Sequence, residues 1–197
     1  MKPVSKDRLG KIFLILWIPL ISIVISFQMV NHIVSMPLPD DYRKIQDRMP
    51  RLRQSKGWLM VHVIYKNCSC TNALTTSLID RKVTPNLEEW VIYAGSDRKI
   101  QEQFEAAGFL FQAETKVSID ERYGIEAAPM LLIFSPENGL AYGGGYFERP
   151  SVFHSMDQAL LRRIKEGEAV DALPLYGCAV SPRLQKLIDP LGIKFQD

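Results

Sequence analysis

The middle of the chain alternates between short apolar runs and longer amphipathic stretches. Residues 58–65 are apolar or aromatic except for one histidine, a composition typical of a buried strand. The following residues, 71–81, suit a helix, and Pro85 prevents that helix from continuing beyond Thr84. A second apolar run covers residues 130–134. This order of elements predicts an α/β domain.

The remaining apolar and polar pattern predicts further elements of this domain and a division of the chain into parts. The further predicted elements are strands at 89–94, 109–112 and 140–142 and helices at 41–53, 97–107, 118–123, 151–165 and 182–188. We predict four parts: a cytoplasmic tip with a transmembrane anchor at 1–35, a linker with a lead-in helix at 36–55, the α/β domain at 56–168, and a C-terminal extension packed on that domain at 169–197.

The N-terminal part carries the strongest localisation signal. Residues 12–30 are almost entirely apolar, and at about 1.5 Å per residue a helix of this length crosses most of a bilayer. Basic residues outweigh Asp7 ahead of this segment, namely Lys2, Lys6, Arg8 and Lys11. The positive-inside rule therefore predicts a single-pass protein of the inner (cytoplasmic) membrane, with its domain on the periplasmic or extracytoplasmic side. A cleaved signal peptide is the alternative, but no small-x-small cleavage motif follows the apolar run.

Composition narrows the classes of function. The formal net charge is only +2, so we expect no nucleic-acid partner. The sequence has no phosphate-binding GxxxxGK motif, no zinc-type cysteine pair and no Ser-His-Asp order, so we predict no cofactor and no resident metal. The sequence does not indicate an oligomeric state.

Two cysteines, Cys68 and Cys70, stand where the first strand ends and its helix begins. The positive end of a helix stabilises a thiolate, which predicts a lowered pKa for Cys68. Two cysteines separated by one residue point to different sides of a regular helix, so at least one must lie outside it. With Cys68 extended and Cys70 near the first turn, the sulfurs can meet, in a small ring that is strained and easily reduced.

Residues 123–134, the turn that follows them and the strand from Leu140 resemble the thioredoxin-like superfamily, and the resemblance covers most of residues 56–165. It implies a central mixed sheet flanked by helices, with a C-x-C pair in place of the usual C-x-x-C. It further implies that Pro129 is a cis-proline beside the thiols, that Cys68 attacks and that Cys70 resolves. Ala128 and Met130, which flank the proline, would contact an extended substrate.

Two further residues have several interpretations. His62 aligns with a buried acidic residue of the superfamily, so it is either a proton relay or a hydrogen-bonded strand residue. Cys178 in the C-terminal extension has three open roles: a third redox residue, a small apolar packing residue, or a bond to another chain.

The leading functional prediction is a membrane-anchored thiol-disulfide oxidoreductase or isomerase that acts on the thiols and disulfides of exported proteins through Cys68 and Cys70. One alternative is a Cu(I)-binding or metal-delivery protein, in which His62 or His154 adds a ligand to the cysteines. Another is a non-catalytic adaptor whose cysteines form a structural bridge or remain inert.

Overall fold

The computed structural model describes residues 6–33, 35–66, 68–149 and 155–192, and the chain divides into two units after residue 34. In the first unit, helix α1 spans Lys6–Ile33 and contains Pro19. Its large apolar side chains between Ile12 and Ile25 are exposed. Among the residues whose side chains are described, no helix offers an apolar stretch of sufficient length to cross a membrane. The transmembrane anchor stays a prediction from the sequence.

Two sheets form the framework of the second unit. Its described strands are β1 (Leu59–Tyr65), β2 (Glu88–Ala94), β3 (Leu110–Glu114), β4 (Ala127–Ala128), β5 (Met130–Phe134), β6 (Leu140–Gly144) and β7 (Cys178–Ala179). The larger sheet has the order β3-β2-β1-β5-β6, in which β1, β2 and β3 are parallel and β5 is antiparallel to both of its neighbours. The smaller sheet consists of β4 and β7, paired antiparallel.

Helices cover this sheet and connect its strands. Those described in the second unit are α2 (Arg43–Leu52), α3 (Ser69–Arg81), α4 (Arg98–Ala106), α5 (Lys116–Tyr123), α6 (Asp157–Lys165) and α7 (Pro182–Ile188). The predicted α/β domain with a central mixed sheet flanked by helices is confirmed.

The central strand β1 separates two apolar layers, because successive side chains of a strand point to opposite faces. All seven of its residues are buried. Its odd-numbered residues face a layer that includes α2 and the side chains of Cys68 and Cys178. Met60 and Ile64 face the other layer, which apolar residues of α3, α4 and α6 complete. The domain therefore has a core on each side of its sheet.

A network of polar side chains lies buried in the second of these layers. The Glu89 carboxylate accepts two hydrogen bonds from Arg81, at 3.1 and 2.5 Å, and lies 2.9 Å from His62 Nε2. Arg81 also donates to Asp157 at 2.8 Å, and His62 Nδ1 lies 2.7 Å from the Tyr146 hydroxyl. Burial by itself raises the pKa of Glu89, but the hydrogen bonds with His62 and Arg81 lower it to about 2. Glu89 is therefore a carboxylate inside the core.

The observed elements depart from the predicted ones at a few places. Helix α3 begins at Ser69, two residues before the predicted start, so it includes Cys70. Helix α6 begins at Asp157, and residues 151–154 of the helix predicted there lie outside the described part of the chain. The short strands β4 and β7 were not predicted, and they matter most for the site described next.

Candidate active site

Cys68 lies at the junction between β1 and α3. Its backbone is extended, with φ −119° and ψ 120°, and it is the N-cap residue of α3. The backbone N–H of Thr71 donates to the carbonyl of Cys68 at 3.0 Å, which closes the first turn of the helix. Cys70 is the second residue of that turn. One cysteine thus lies outside the helix and the other inside it, as the spacing of the pair predicts.

The loop that contains Pro129 lies directly against this thiol. The peptide bond between Ala128 and Pro129 is cis, as the resemblance implies. The Sγ atom of Cys68 is 3.9 Å from the carbonyl oxygen of Ala128, although 60 positions separate the two residues in the sequence. The thiol at the helix start and the proline at the strand entrance therefore form one site.

A third thiol reaches the same site from the C-terminal extension. Strand β7 runs antiparallel to β4, and Cys178 stands directly opposite Ala128. The thiols of Cys178 and Cys70 both form hydrogen bonds with the thiol of Cys68. All three side chains are thiols rather than disulfides in this structure. Cys178, for which a third redox residue was one of three predicted roles, therefore lies beside Cys68 and Cys70.

The surroundings of Cys68 determine its acidity. The hydrogen bond with Cys178 raises the pKa of Cys68, the hydrogen bond with Cys70 lowers it, and burial raises it again, so that the pKa lies above its ordinary value. The predicted lowering is wrong for this conformation. The helix start is where we expected it, but the thiol is only 1% exposed and has a second thiol beside it.

Thr71 is a site residue that the sequence analysis missed. Its hydroxyl is buried, and it has no hydrogen-bond partner among the described protein atoms. A hydrogen bond from Thr71 to the ionised sulfur lowers the pKa of Cys68. The signal in the sequence is positional: Thr71 stands three residues after the N-cap cysteine, in the first turn of the helix.

His62 does not contact the thiols. Both of its ring nitrogens are engaged elsewhere, by Tyr146 and by Glu89. Its ring packs edge-on against Phe109 in the layer that lies across the sheet from the apolar surroundings of Cys68. Of the two interpretations, the hydrogen-bonded strand residue fits this placement, because a proton relay to Cys68 needs a ring nitrogen directed at the site.

The residues predicted to bind substrate are covered in this structure. Ala128 and Pro129 are buried, and the backbone of Ala128 pairs with Cys178 rather than with an open edge. Met130 is fully buried in the apolar layer that contains Cys68. The prediction that Ala128 and Met130 contact substrate stays a prediction, and the side chain of Met130 belongs to the core.

No metal centre is evident in the part of the chain that the structure describes, where no group of three or more His, Cys, Asp or Glu side chains is arranged to hold an ion. His154, one of the two histidines considered as a copper ligand, lies outside the described residues. The other, His62, is engaged by Tyr146 and Glu89.

A cysteine at the N-cap of a helix lies next to a cis-proline that leads into an antiparallel strand of a central mixed sheet. This is the fold that the resemblance to the thioredoxin-like superfamily implies.

Solved structures with a similar fold have low sequence identity to this chain. An uncharacterized conserved protein from Geobacillus kaustophilus is 17% identical, with a TM-score of 0.50, over 65% of this chain and 78% of that one. A hypothetical protein from Sinorhizobium meliloti 1021 is 19% identical, with a TM-score of 0.48, over 76% and 91%. A secreted disulfide oxidoreductase from Mycobacterium tuberculosis, homologous to E. coli DsbE, is 15% identical, with a TM-score of 0.41, over 56% and 83%. No family model and no curated protein matches the chain.

Proposed function

We propose that this protein is a thiol-disulfide oxidoreductase or isomerase whose nucleophile is Cys68. The observation that carries the proposal is the contact of Cys68, at the start of α3, with the thiols of Cys70 and Cys178 and with the carbonyl of Ala128 before the cis-proline. Thiol-disulfide exchange requires one thiol that attacks and a second that resolves the mixed disulfide. Both are present within hydrogen-bonding range.

The chemistry starts with ionisation of Cys68. The N-terminus of α3 and the hydroxyl of Thr71 favour the thiolate once the sulfur is no longer held against the thiol of Cys178. The thiolate attacks one sulfur of a partner disulfide, and the other sulfur leaves as a thiolate that takes up a proton. A neighbouring thiol of this chain then attacks Cys68 Sγ and releases the partner in its reduced form.

A redox titration tests this proposal. Equilibrated in buffers of varied glutathione to glutathione disulfide ratio, the protein is expected to pass reversibly between a dithiol and a disulfide form in a two-electron transition. Alkylation of the remaining thiols, followed by mass measurement, gives the oxidised fraction. The Cys68→Ala variant, run in parallel, is expected to lose the transition. Thiols that stay reduced at every ratio would contradict the proposal.

The non-catalytic adaptor is a second candidate that one observation favours. Cys68 is almost fully buried and its pKa is raised, which is the usual condition of an inert structural thiol. The titration separates the two functions, because an adaptor with inert thiols does not exchange electrons with glutathione.

We also propose that α1 anchors the chain in the inner membrane, so that the domain acts on exported proteins. The apolar run at 12–30 and the basic residues that precede it support this location, as do the exposed apolar side chains between Ile12 and Ile25. An oxidising compartment is also where disulfide substrates persist.

Fractionation of cells that produce the full chain tests the location. The protein is expected to remain in the membrane pellet after extraction with alkaline carbonate, and a protease added outside the cytoplasmic membrane is expected to digest the domain. A variant with Leu16→Arg and Ile21→Arg serves as the control, since two charges at mid-helix oppose insertion. Recovery of the wild-type protein in the carbonate supernatant would contradict the proposal that α1 is a membrane anchor.

A further inference from the structure

The C-terminal extension is fixed against the site by contacts along a segment that we call the tail segment, residues 173–181. The carbonyl of Leu173 accepts from the N–H of Gly145 at 2.9 Å, and that of Leu175 accepts from Met36 at 2.7 Å. At its far end, the N–H of Val180 donates to the carbonyl of Glu126, two residues before Ala128, at 2.6 Å. The tail segment therefore occupies the edge beside the cis-proline, with Cys178 in its middle.

Gly177 shows how closely this segment approaches the cis-proline loop. A Cβ atom at this position would lie 2.0 Å from the carbonyl oxygen of Ala128 and 2.7 Å from Cδ of Pro129. Both distances are far below van der Waals contact, so only glycine permits the backbone to lie there. The residue that follows it is Cys178. The chain thus places a thiol beside Cys68 by means of a glycine that lets the strand come close.

The position of the tail segment is the one that an extended substrate would take. Peptides bind an exposed strand edge through backbone pairing, and their affinity comes mainly from the main chain. Here β7 pairs with β4 in that manner, and its cysteine stands opposite the residue before the cis-proline. The segment is a tethered strand with a thiol at the point where a substrate sulfur would meet Cys68.

We propose that Cys178 is the resolving thiol of this protein, and that the redox-active disulfide forms between Cys68 and Cys178. This inference rests on the proposed function, since it assigns a role in the same exchange reaction.

The reaction balances as two successive exchanges with a protein disulfide, R–S–S–R′. Cys68 thiolate attacks one sulfur, which forms Cys68–S–S–R and releases R′–S⁻, and this takes up a proton. Cys178 thiolate then attacks Cys68 Sγ, which forms the bond between Cys68 and Cys178 and releases R–S⁻, protonated in turn. Two electrons pass from the two cysteines to the partner disulfide.

The geometry favours Cys178 over Cys70 as the resolving group. A bond between Cys68 and Cys70 closes a ring over a single intervening residue, and a disulfide needs a specific torsion and a separation that such a ring strains. Cys178 comes from a different strand, so no small ring forms. Cys70 has another effect, because its hydrogen bond lowers the pKa of Cys68.

Access to Cys68 then requires the tail segment to leave and return. Its ladder with β4 is two residues long, and a salt bridge between Arg183 and Glu126 holds the next helix beside it. The Arg183 side chain is 71% exposed, so this ion pair contributes little stability. When the segment leaves, a partner reaches Cys68, and when it returns, it brings Cys178 to the mixed disulfide.

Trapping and peptide mapping test the inference on the full chain. The reduced protein is exposed to glutathione disulfide, quenched with an alkylating reagent at intervals and digested with trypsin. Peptide 67–81 carries Cys68 and Cys70, whereas peptide 166–183 carries Cys178. The wild type and the Cys70→Ser variant are both expected to give a cross-link between these peptides. Cys178→Ser is the matched variant. Its mixed disulfide between Cys68 and glutathione is expected to last longer than that of Cys70→Ser, by on the order of tenfold.

The outcomes separate this inference from the function on which it rests. If Cys68 takes up glutathione and Cys178→Ser releases it as fast as the wild type, Cys178 is not the resolving thiol, and the oxidoreductase proposal stands. A disulfide confined to peptide 67–81 has the same meaning. If Cys68 takes up no glutathione in any variant, the proposed function itself fails.

Discussion

The Cys68→Ser variant is expected to reduce insulin disulfides in the presence of dithiothreitol no faster than dithiothreitol alone. Serine has nearly the same shape as cysteine and keeps the N-cap of α3, but its hydroxyl stays protonated near neutral pH and its oxygen forms no disulfide. The mixed intermediate with substrate is therefore lost. Turbidity from the precipitated insulin chain measures the rate, and refolding of a scrambled substrate provides a second assay.

Two comparisons make this result specific. The circular dichroism spectrum of Cys68→Ser is expected to match that of the wild type, because the substitution only replaces one sulfur atom by oxygen. The Cys70→Ser variant keeps the thiols of Cys68 and Cys178 and is expected to retain activity. Full activity in Cys68→Ser would show that the nucleophile has been misassigned, and a wild type inactive in both assays would count against the oxidoreductase function.

The Glu89→Gln variant is expected to have a free energy of unfolding lower than that of the wild type by about 3 to 5 kcal/mol. This is the usual cost of removing one partner from a buried ion pair. Glu89 receives hydrogen bonds from Arg81 and from the backbone of Thr84, and it contacts His62. A neutral amide leaves the guanidinium of Arg81, which is only 21% exposed, with Asp157 as its remaining counter-charge. Denaturant unfolding followed by tryptophan fluorescence measures the difference.

The same carboxylate predicts how stability depends on pH. The pKa of Glu89 is about 2 in the folded protein, below the 4.5 of an unperturbed glutamate, so the folded state favours the ionised form. Its contribution, on the order of 3 kcal/mol, is complete above the unfolded pKa and is lost as the pH falls through the window from about 4.5 to about 2.

A matched substitution provides the control for both measurements. Glu102 pairs with Arg98 on the exposed surface of α4, and its side chain is 62% exposed. Glu102→Gln is expected to leave the free energy of unfolding almost unchanged, because an exposed ion pair contributes little. Equal losses in the two variants, or the same acid profile for Glu89→Gln and the wild type, would show that the buried network is not the source of the stability.

The parts of the fold with a clear local pattern of apolar residues or a clear spacing of cysteines were predictable from the sequence. The composition of residues 58–65 indicates a buried strand, and the observed β1 is buried along its full length. The position of Cys68 before α3 follows from the spacing of the cysteines, since two thiols one residue apart cannot both reach the same side of a helix. Local sequence decides these features, so local sequence reveals them.

The covering of the site was not predictable in the same way. Strands β4 and β7 have two residues each, too few to show any alternation, and they come from parts of the chain about fifty residues apart. The raised pKa of Cys68 depends on this pairing, because Cys178 and burial are among its causes. The sequence indicated the thiol and the helix start, but not the distant strand that changes their chemistry.

The short ladder between β4 and β7 has a kinetic consequence. Under the proposed mechanism, release of the tail segment breaks this ladder together with the hydrogen bonds of Leu173, Leu175 and Val180. Such a local opening costs less than global unfolding, and the opened form is then a minor species in pre-equilibrium with the closed one. The observed second-order rate constant with any oxidant is then the intrinsic rate constant multiplied by the open population. Selectivity among partners arises from their ability to capture that transient species before it recloses.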